Sequence, residues 1–358
     1  MGGEARRYWG GIPGFLTLCR KSARFDMDGE ARRDGGRMPR PARCAGRARP
    51  RDTGVPRPMS EPPPKIEPMP NPYADLLAAI PVERRAVEVL GGTTAYWVYG
   101  DDDAATTIVA VHGFRGEHHG LDPVVAHLPG IRVVSPDLPG FGETAPLAGR
   151  AHDLETYAAW LRAFVDAVAP GAVVLGHSFG SIVSSAAVAA GLETPKLILV
   201  NPIGAPALEG PRGVLTRLAV FYYLAGAKLP RAIGDALLRN GLIVRVMSNA
   251  MAKTRDPELR RFVHEQHDEY FSRFADRDVL HEAFVTSVSH DVREFAPRIA
   301  QPTLLIAAEK DDITPIEAER HLATLFPDAR LVEIPDVGHL IHYETPAAAA
   351  AAVQDFVD

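Results

Sequence analysis

Beyond residue 80, short apolar runs alternate with segments whose apolar residues recur at helical spacing. The runs are rich in Val, Ile and Leu, as in strands that are buried on both faces of a sheet. The predicted strands are residues 85–90, 93–99, 107–111, 131–135, 172–175, 196–200, 304–307 and 331–334. The predicted helices are residues 124–128, 154–168, 182–190, 316–325 and the segment after Pro346. Gly91-Gly92 between the first two runs indicates a hairpin, and the alternation predicts an α/β fold with a mostly parallel sheet flanked by helices.

Between residues 202 and 300 the alternation stops, and the pattern becomes helical throughout. The predicted helices in this stretch are residues 215–224, 232–238, 244–251 and 257–274. We interpret it as a helical cap, or lid, inserted over the carboxyl ends of the strands. The predicted α/β core therefore consists of residues 73–201 and 301–358.

The first 58 residues differ in composition from the rest of the chain. They carry 14 Lys and Arg against 6 Asp and Glu, and they contain both cysteines, Cys19 and Cys44. An Arg-, Gly- and Pro-rich segment without sustained periodicity buries too little apolar surface to offset its ordering entropy. Together with the Pro-rich residues 60–72, it predicts a disordered extension and linker over residues 1–72, and Met59 is a candidate native start. A targeting signal is disfavoured, because residues 12–19 contain Pro and Gly and lack a small-residue cleavage site.

The residues after 58 are acidic, with 25 Lys and Arg against 39 Asp and Glu. This balance argues against a nucleic-acid partner, which requires a basic surface. No run approaches the roughly 18 uninterrupted apolar residues of a membrane span, so we expect no stable membrane insertion. The same residues contain no cysteine, which fits a cytoplasmic protein.

Residues 173–181 carry the most informative motif. A β-branched apolar run leads into Gly176-His177-Ser178-Phe179-Gly180, and small apolar residues follow at helical spacing. This is the G-x-S-x-G pattern of a nucleophile elbow in its strand–turn–helix setting. Glycine at the flanking positions avoids a Cβ clash where the backbone doubles back, and the serine hydroxyl is raised above the sheet.

A serine hydroxyl is a poor nucleophile at neutral pH, so it needs a base, and the base needs an orienting acid. Candidates for both follow Ser178 in the chain. The acid lies in Glu309-Lys310-Asp311-Asp312, and the base is His339, after Gly338. Each candidate stands just past a predicted strand. Because loops at the carboxyl ends of parallel strands converge on one side of the sheet, we expect these side chains to meet.

Two further motifs stand in the first half of the chain. His112-Gly113-Phe114 follows the strand predicted over residues 107–111, and residues 137–142 read Asp-Leu-Pro-Gly-Phe-Gly. With the elbow, the acid loop and the Gly-His loop, they resemble the α/β-hydrolase superfamily over residues 75–358. The resemblance is to its capped, small-molecule branch of serine hydrolases, and all five motifs stand in the family's order.

The resemblance implies specific roles and no cofactor or metal. Ser178 resembles the nucleophile, His339 the general base, and Asp311 the orienting acid, since the Asp-x-Ile-x-Pro spacing favours it over its neighbour. The backbone N–H groups of Phe114 and Phe179 are implied to form the oxyanion hole. Some relatives place the acid after the strand ending at Val200, where this chain has an amide instead.

For other polar residues near these motifs we favour structural interpretations. We expect the side chain of His177 to point away from the serine hydroxyl, His112 to brace the oxyanion loop, and Asp137 to shape its own loop. His118 and His119 show no carboxylate at metal-ligand spacing, so no metal site is expected.

Two features leave alternatives open. Arg115 either binds a substrate carboxylate or is solvated surface, and we favour the surface. The apolar stretch over residues 218–224 either lines a substrate pocket or packs between helices.

The predicted function is that of a serine hydrolase cleaving a small carboxylic ester or thioester through an acyl-enzyme on Ser178. Cleavage of a C–C bond or an amide, or cofactor-free perhydrolysis, is an alternative with the same residues, because fold and motif do not select the reaction. A non-catalytic ligand receptor on this fold is a further alternative. The expected partner is a small acyl substrate, and the sequence predicts no oligomeric state.

Overall fold

The computed structural model describes residues 71–205 and 213–358. The predictions for residues 1–70, including the extension and the Met59 start, lie outside the described residues. The strands are β1 (Val82–Val89), β2 (Gly92–Tyr99), β3 (Thr106–Val111), β4 (Ile131–Pro136), β5 (Val173–His177), β6 (Leu197–Val200), β7 (Thr303–Ala308) and β8 (Ala329–Ile334).

All eight strands belong to one sheet, in the order β1-β2-β4-β3-β5-β6-β7-β8. The pairs β1–β2 and β2–β4 are antiparallel, and the other neighbouring pairs are parallel. The β1–β2 turn contains Leu90 at φ 51° and Gly91 at φ 82°, and two successive positive φ angles are typical of the tight turns in hairpins. The predicted mostly parallel α/β sheet is confirmed, and the predicted strands differ from the observed ones only at their ends.

Helices lie on both faces of the sheet, and further helices form the segment between β6 and β7. They are α1 (Ala74–Ala78), α2 (Asp122–Val125), α3 (Leu154–Val168), α4 (Phe179–Ala189), α5 (Gly213–Lys228), α6 (Arg231–Leu238), α7 (Gly241–Met251), α8 (Pro257–Tyr270), α9 (Arg277–Ser289), α10 (Ile316–Ala323), α11 (Ile341–Glu344) and α12 (Pro346–Val357). Several begin at a side-chain cap; in α3, the carboxylate of Asp153 accepts from the N–H of Thr156 at 2.9 Å.

The core consists of two apolar layers, one on each face of the sheet, because successive strand residues point to opposite faces. In β3, Val109 and Val111 pack with α3 and α4. Ile108 and Ala110 pack on the other side with α2 and α12. Burial on both faces explains why the central strands read as unbroken apolar runs.

Tertiary contacts shift one helix end. The helix predicted over residues 257–274 ends at Tyr270. Beyond it, the carbonyl of Arg273 accepts from the N–H of Gly142 at 3.0 Å. This pairing with a distant loop takes the last predicted turn out of the helix, which periodicity alone cannot show.

Other helices also depart from the prediction. The helix expected over residues 124–128 lies at Asp122–Val125, and a 3₁₀ turn over His118–Leu121 replaces part of the predicted loop. Helices α1, α9 and α11 were not predicted.

Helices α5 to α9 lie between β6 and β7. The exact boundaries, residues 73–201 and 301–358 for the core and 202–300 for the insertion, stay a prediction. None of the helices in residues 71–205 and 213–358 combines the length and apolar character that a membrane crossing requires.

Candidate active site

Ser178 occupies a sharp turn between β5 and α4. Its backbone has φ 53° and ψ −117°, a region that costs a non-glycine residue on the order of 1–3 kcal/mol. The surrounding sheet holds this conformation, since the N–H of Ser178 donates to the carbonyl of Val200 at 3.0 Å. The turn presents the serine at the carboxyl edge of the sheet.

The two flanking glycines are required by close backbone approach. A Cβ on Gly176 would lie 2.4 Å from the carbonyl oxygen of Gly180, and one on Gly180 would lie 2.3 Å from that of Val111. Both distances are too short for any side chain. The elbow therefore depends on glycine at both positions.

The structure brings the three predicted side chains together. The Oγ of Ser178 lies 2.8 Å from Nε2 of His339. The Nδ1 of His339 lies 2.7 Å from Oδ2 of Asp311. The imidazole and the carboxylate are buried, whereas Ser178 is partly accessible. Residues separated by up to 161 positions thus form one continuous hydrogen-bonded chain.

The Asp311 carboxylate accepts further hydrogen bonds. Its Oδ1 accepts from the backbone N–H groups of Ile313 at 2.7 Å and Thr314 at 3.2 Å. Its Oδ2 also accepts from Nδ2 of Asn201 at 3.1 Å. Burial raises the pKa of Asp311, but His339 and these N–H donors outweigh burial and hold the pKa below its usual range. The group is therefore a carboxylate anion at neutral pH.

Asp312 and Asn201 occupy different surroundings. The carboxylate of Asp312 is 44% exposed and pairs with Lys253. Asn201 follows β6 at the same sheet edge, with φ 44°, and its Oδ1 is buried without a hydrogen-bond partner among the described residues. The hydrogen bond from Asn201 to Asp311 was not predicted. It could have been suspected, because Asn201 directly follows a buried strand at the same sheet edge.

The direction of the Phe114 N–H is fixed by the carbonyl on the other side of the same peptide bond. The Gly113 carbonyl accepts from Nδ1–H of His112 at 2.8 Å and from the N–H of Gly116 at 3.0 Å. In a trans peptide the N–H points opposite to the C=O. Nε2 of His112 accepts from the N–H of Leu138 at 2.9 Å, and burial lowers the pKa of His112. His112 is thus a neutral brace for this loop, as interpreted from the sequence.

Phe179 is the first residue of α4, so its N–H has no partner within the helix and lies at the positive end of the helix dipole. The Phe114 loop lies beside it, because a Cβ on Gly113 would be 3.2 Å from Cβ of Ser178. In the described part of the chain, neither the Phe114 N–H nor the Phe179 N–H donates to another protein group. Two backbone donors thus remain available beside Ser178.

Arg115 is not solvated surface, and that expectation is wrong. Its side chain is 2% exposed. Nε donates to the carbonyl of Phe271 at 2.8 Å, Nη2 to that of Leu238 at 2.9 Å, and Nη1 to the hydroxyl of Tyr223 at 3.3 Å. The acceptors belong to the helices inserted between β6 and β7, whose packing over this loop was not visible in the sequence.

The expectation that His118 and His119 have no carboxylate at metal-ligand spacing is also wrong. The donor atoms of Glu117, His118 and His119 all lie within 4.8 Å of one another. However, Nδ1 of His119 lies 2.5 Å from the Glu117 carboxylate, and Nδ1 of His118 lies 2.9 Å from that of Asp137. The His118–Asp137 contact joins two loops, and Asp137 also accepts from the N–H of Glu143 in its own loop, as interpreted from the sequence. We assign no metal to these groups.

His177 also matches its structural interpretation. Its ring is buried and lies 4.1 Å from that of His342, and burial lowers the pKa of His177 to about 3. Among the described residues, no hydrogen bond joins it to Ser178. His177 is therefore a neutral packing residue beside the elbow.

A cavity of about 240 Å³ opens at Ser178. Its far wall is formed by side chains of the inserted helices, which are mostly apolar or aromatic. These are Ala219, Tyr223, Met247, Met251, His267, Tyr270, Phe271 and Phe284. In the apolar stretch over residues 218–224, Tyr223 lines the cavity and stacks on Phe284 at 4.1 Å. Leu218 and Phe221 are 64% and 68% exposed, so only part of this stretch lines the cavity or packs between helices.

A mostly parallel eight-stranded sheet, with a serine at the β5–α4 turn and an imidazole and a carboxylate at the same edge, defines an α/β hydrolase. Residues 108–353 match the model of the alpha/beta hydrolase family, and the chain belongs to that family. The expected superfamily is therefore confirmed, and the protein is a hydrolase.

Curated relatives match more than two thirds of the chain. An uncharacterized hydrolase, YugF of Bacillus subtilis, is 24% identical in an alignment of 290 positions that covers 78% of this chain and 99% of the relative. The pimeloyl-(acyl-carrier protein) methyl ester esterase of Aromatoleum aromaticum is 28% identical in an alignment of 263 positions that covers 70% of this chain and 97% of that enzyme. Among solved structures, an esterase from Thermogutta terrifontis matches with a TM-score of 0.60 and 22% identity, over 77% of this chain and 98% of its own. That likeness shows the shared fold.

Proposed function

We propose that the protein is a serine hydrolase that cleaves a small carboxylic ester, or a thioester, through an acyl-enzyme on Ser178. The observation that carries the proposal is the chain from Ser178 Oγ to His339 at 2.8 Å and from His339 to Asp311 at 2.7 Å. A hydroxyl bonded to a base, which a buried carboxylate orients, is the arrangement that nucleophilic catalysis by serine requires.

In the first half of the reaction, Ser178 Oγ attacks the carbonyl carbon of the ester while its proton passes to Nε2 of His339. The carbonyl oxygen becomes an oxyanion, which accepts from the N–H groups of Phe114 and Phe179. His339 then gives the proton to the leaving oxygen, or to sulfur in a thioester. The bond to the leaving group breaks, and the acyl group stays on Ser178.

In the second half, a water molecule attacks the acyl carbon while His339 accepts its proton. The second tetrahedral intermediate collapses, the carboxylic acid leaves, and the proton returns to Ser178 Oγ. Asp311 stays ionised throughout and stabilises the imidazolium. The net reaction consumes one ester and one water and yields one acid and one alcohol or thiol.

The helices inserted between β6 and β7 are proposed to act as a cap, over residues 202–300. They form the far wall of the cavity with side chains such as Met247, Met251 and Phe284. Its volume of about 240 Å³ is below the range of about 300–1,000 Å³ for sites of drug-sized ligands. A compact, mainly apolar acyl group fits such a site. A relative named for methyl ester cleavage supports an ester as the substrate.

The test is turnover of p-nitrophenyl esters from acetate to laurate, with an acyl-CoA thioester in parallel. We expect kcat/KM to be highest for short acyl chains. A fluorophosphonate probe should label the protein covalently, and Ser178→Ala should abolish labelling and lower kcat by about 10⁶. Ser185→Ala is the matched control, because Ser185 is buried in α4 with an unpartnered hydroxyl and should keep both properties. Labelling that persists in Ser178→Ala, or a folded wild type that neither labels nor turns over, would contradict the proposal.

A further inference from the structure

We propose that Arg115 is a positioning residue that couples the inserted helices to the oxyanion loop, residues 112–116, and thereby sets the direction of the Phe114 N–H. The inference rests on the proposed function, because it concerns what holds the proposed oxyanion hole in place. It is independent of which ester the protein cleaves.

One side chain from the core reaches three of the inserted helices. Its acceptors are the carbonyl of Leu238, the last residue of α6, and the carbonyl of Phe271, which caps the end of α8. The third acceptor is the hydroxyl of Tyr223 in α5. Each of the three guanidinium nitrogens therefore donates to a protein acceptor rather than facing the cavity unpaired.

The positive charge of Arg115 is stabilised by backbone carbonyls and aromatic rings of the inserted segment. Among the described residues it forms no ion pair with Asp or Glu. The carbonyls at the ends of α6 and α8 carry partial negative charge, since they lie at the carboxyl ends of the helix dipoles. The rings of Phe271 and Phe274 lie 4.5 and 5.5 Å from the guanidinium carbon and add cation–π attraction. A buried cation compensated in this way is favourable only while the helices stay over the loop.

The backbone of Arg115 links this anchoring to the Phe114 peptide. Arg115 is the third residue of the turn closed by the bond from Gly116 N–H to the Gly113 carbonyl, 3.0 Å long. Its φ is 60°, and positive φ at the third position of such a turn normally selects glycine. An arginine is retained there because its side chain is held from outside the turn. If the side chain is not held, the turn becomes more flexible. The Gly113 carbonyl and the Phe114 N–H, which belong to the same peptide group, then lose their fixed orientation.

The experiment compares Arg115→Met and Arg115→Lys with Arg239→Met. Arg239 is a matched control, because it donates to the carbonyls of Ser272 and Phe274 and lies 4.0 Å from the Phe274 ring. Its contacts stay within the inserted segment and do not reach the oxyanion loop. Kinetics with a short p-nitrophenyl ester give kcat and KM, and titration with a fluorophosphonate gives the concentration of active enzyme.

We expect Arg115→Met to lower kcat about 10- to 100-fold with KM within about threefold, because the donor is misplaced rather than removed. Arg115→Lys, which keeps the charge and reaches fewer carbonyls, should retain more activity. Arg239→Met should stay within about twofold of wild type in both constants, whatever its melting temperature. Methylguanidinium added to Arg115→Ala should restore part of kcat and leave wild type unchanged.

Three outcomes would overturn the proposal. The first is kcat within about twofold of wild type in Arg115→Met, or in Arg115→Lys where the Met variant does not fold. The second is an equal loss of kcat in Arg239→Met. The third is a loss confined to KM for esters that carry a negative charge, which would make Arg115 a substrate-binding group. A wild type that neither labels nor hydrolyses esters contradicts the proposed function itself, whereas active, labelled wild type with unaffected Arg115 variants contradicts only the coupling.

Discussion

Replacing Asp311 with Asn should leave the fold intact and remove most of the activity. Oδ1 of Asp311 accepts two backbone N–H groups, from Ile313 and Thr314. The amide oxygen of the new side chain must take this position, because an NH₂ group there would face two donors. The NH₂ group therefore takes the position of Oδ2, opposite Nδ1 of His339 and Nδ2 of Asn201.

Both neighbours can adapt, and one adaptation disables the base. Asn201 can rotate its amide, since its unpaired Oδ1 can accept from the new NH₂ group. His339 must place its proton on Nε2 and accept at Nδ1, so Nε2 donates to Ser178 instead of taking its proton. The wrong tautomer typically costs a serine triad about 10⁴ in kcat, or about 5.5 kcal/mol of barrier. Because the hydrogen bonds are re-formed, the unfolding free energy should fall by no more than about 3 kcal/mol.

The assay is kcat for a p-nitrophenyl ester, with the melting temperature as the check on folding. Asp312→Asn is the matched control, because the neighbouring carboxylate pairs with Lys253 outside the site. We expect that variant to keep kcat within about twofold. A folded Asp311→Asn enzyme with kcat within about tenfold of wild type would refute the assignment of the acid, and a large loss in Asp312→Asn would transfer the role to that residue.

Two further predictions concern residues that do not touch the reacting atoms. Glu319 is 2% exposed, and both its oxygens lack a well-formed hydrogen bond among the described residues. Burial, together with the charge of Asp311, raises the pKa of Glu319 well above 4.5. The stability that the protonated Glu319 carboxyl contributes is present below the unfolded pKa and is lost as pH rises through the folded pKa. The melting temperature of Glu319→Gln should therefore rise relative to that of wild type from about pH 5 to about pH 8. Parallel melting-temperature curves for the two proteins would contradict this. Gly180→Ala should lower the melting temperature and abolish fluorophosphonate labelling, because the new Cβ would lie 2.3 Å from the carbonyl oxygen of Val111. A labelled variant with wild-type stability would show that the elbow tolerates a side chain.

The residues at the sheet edge could be predicted because local patterns determine their positions. Ser178 and Asp311 each follow a strand that reads as an apolar run, His339 follows the last strand, and a parallel sheet brings such loops to one edge. The elbow glycines could be predicted as well, because the turn that requires them consists of a few consecutive residues. Order along the chain and strand type were sufficient to select these loops, whereas the choice of Asp311 over Asp312 also needed the Asp-x-Ile-x-Pro spacing.

The side chains that face the inserted helices could not be predicted in the same way. Arg115 reads as an exposed charge, yet its acceptors Tyr223, Leu238 and Phe271 stand 108 to 156 residues further along the chain. Glu319 reads as one acid on the polar side of α10, and its burial depends on the loop at Gly204 closing over it. Helical periodicity identifies such segments as helices but does not show how they pack over the sheet.

The central claim is that Ser178 carries the acyl group during turnover. Rapid acid quenching of the enzyme with a short-chain ester, followed by peptide mass spectrometry, tests it most directly. We predict an acyl adduct on Ser178 that decays as product forms and that accumulates when deacylation is slowed by a hindered acyl group. Steady turnover with no adduct at any quench time, or an adduct on a different residue, would contradict the account.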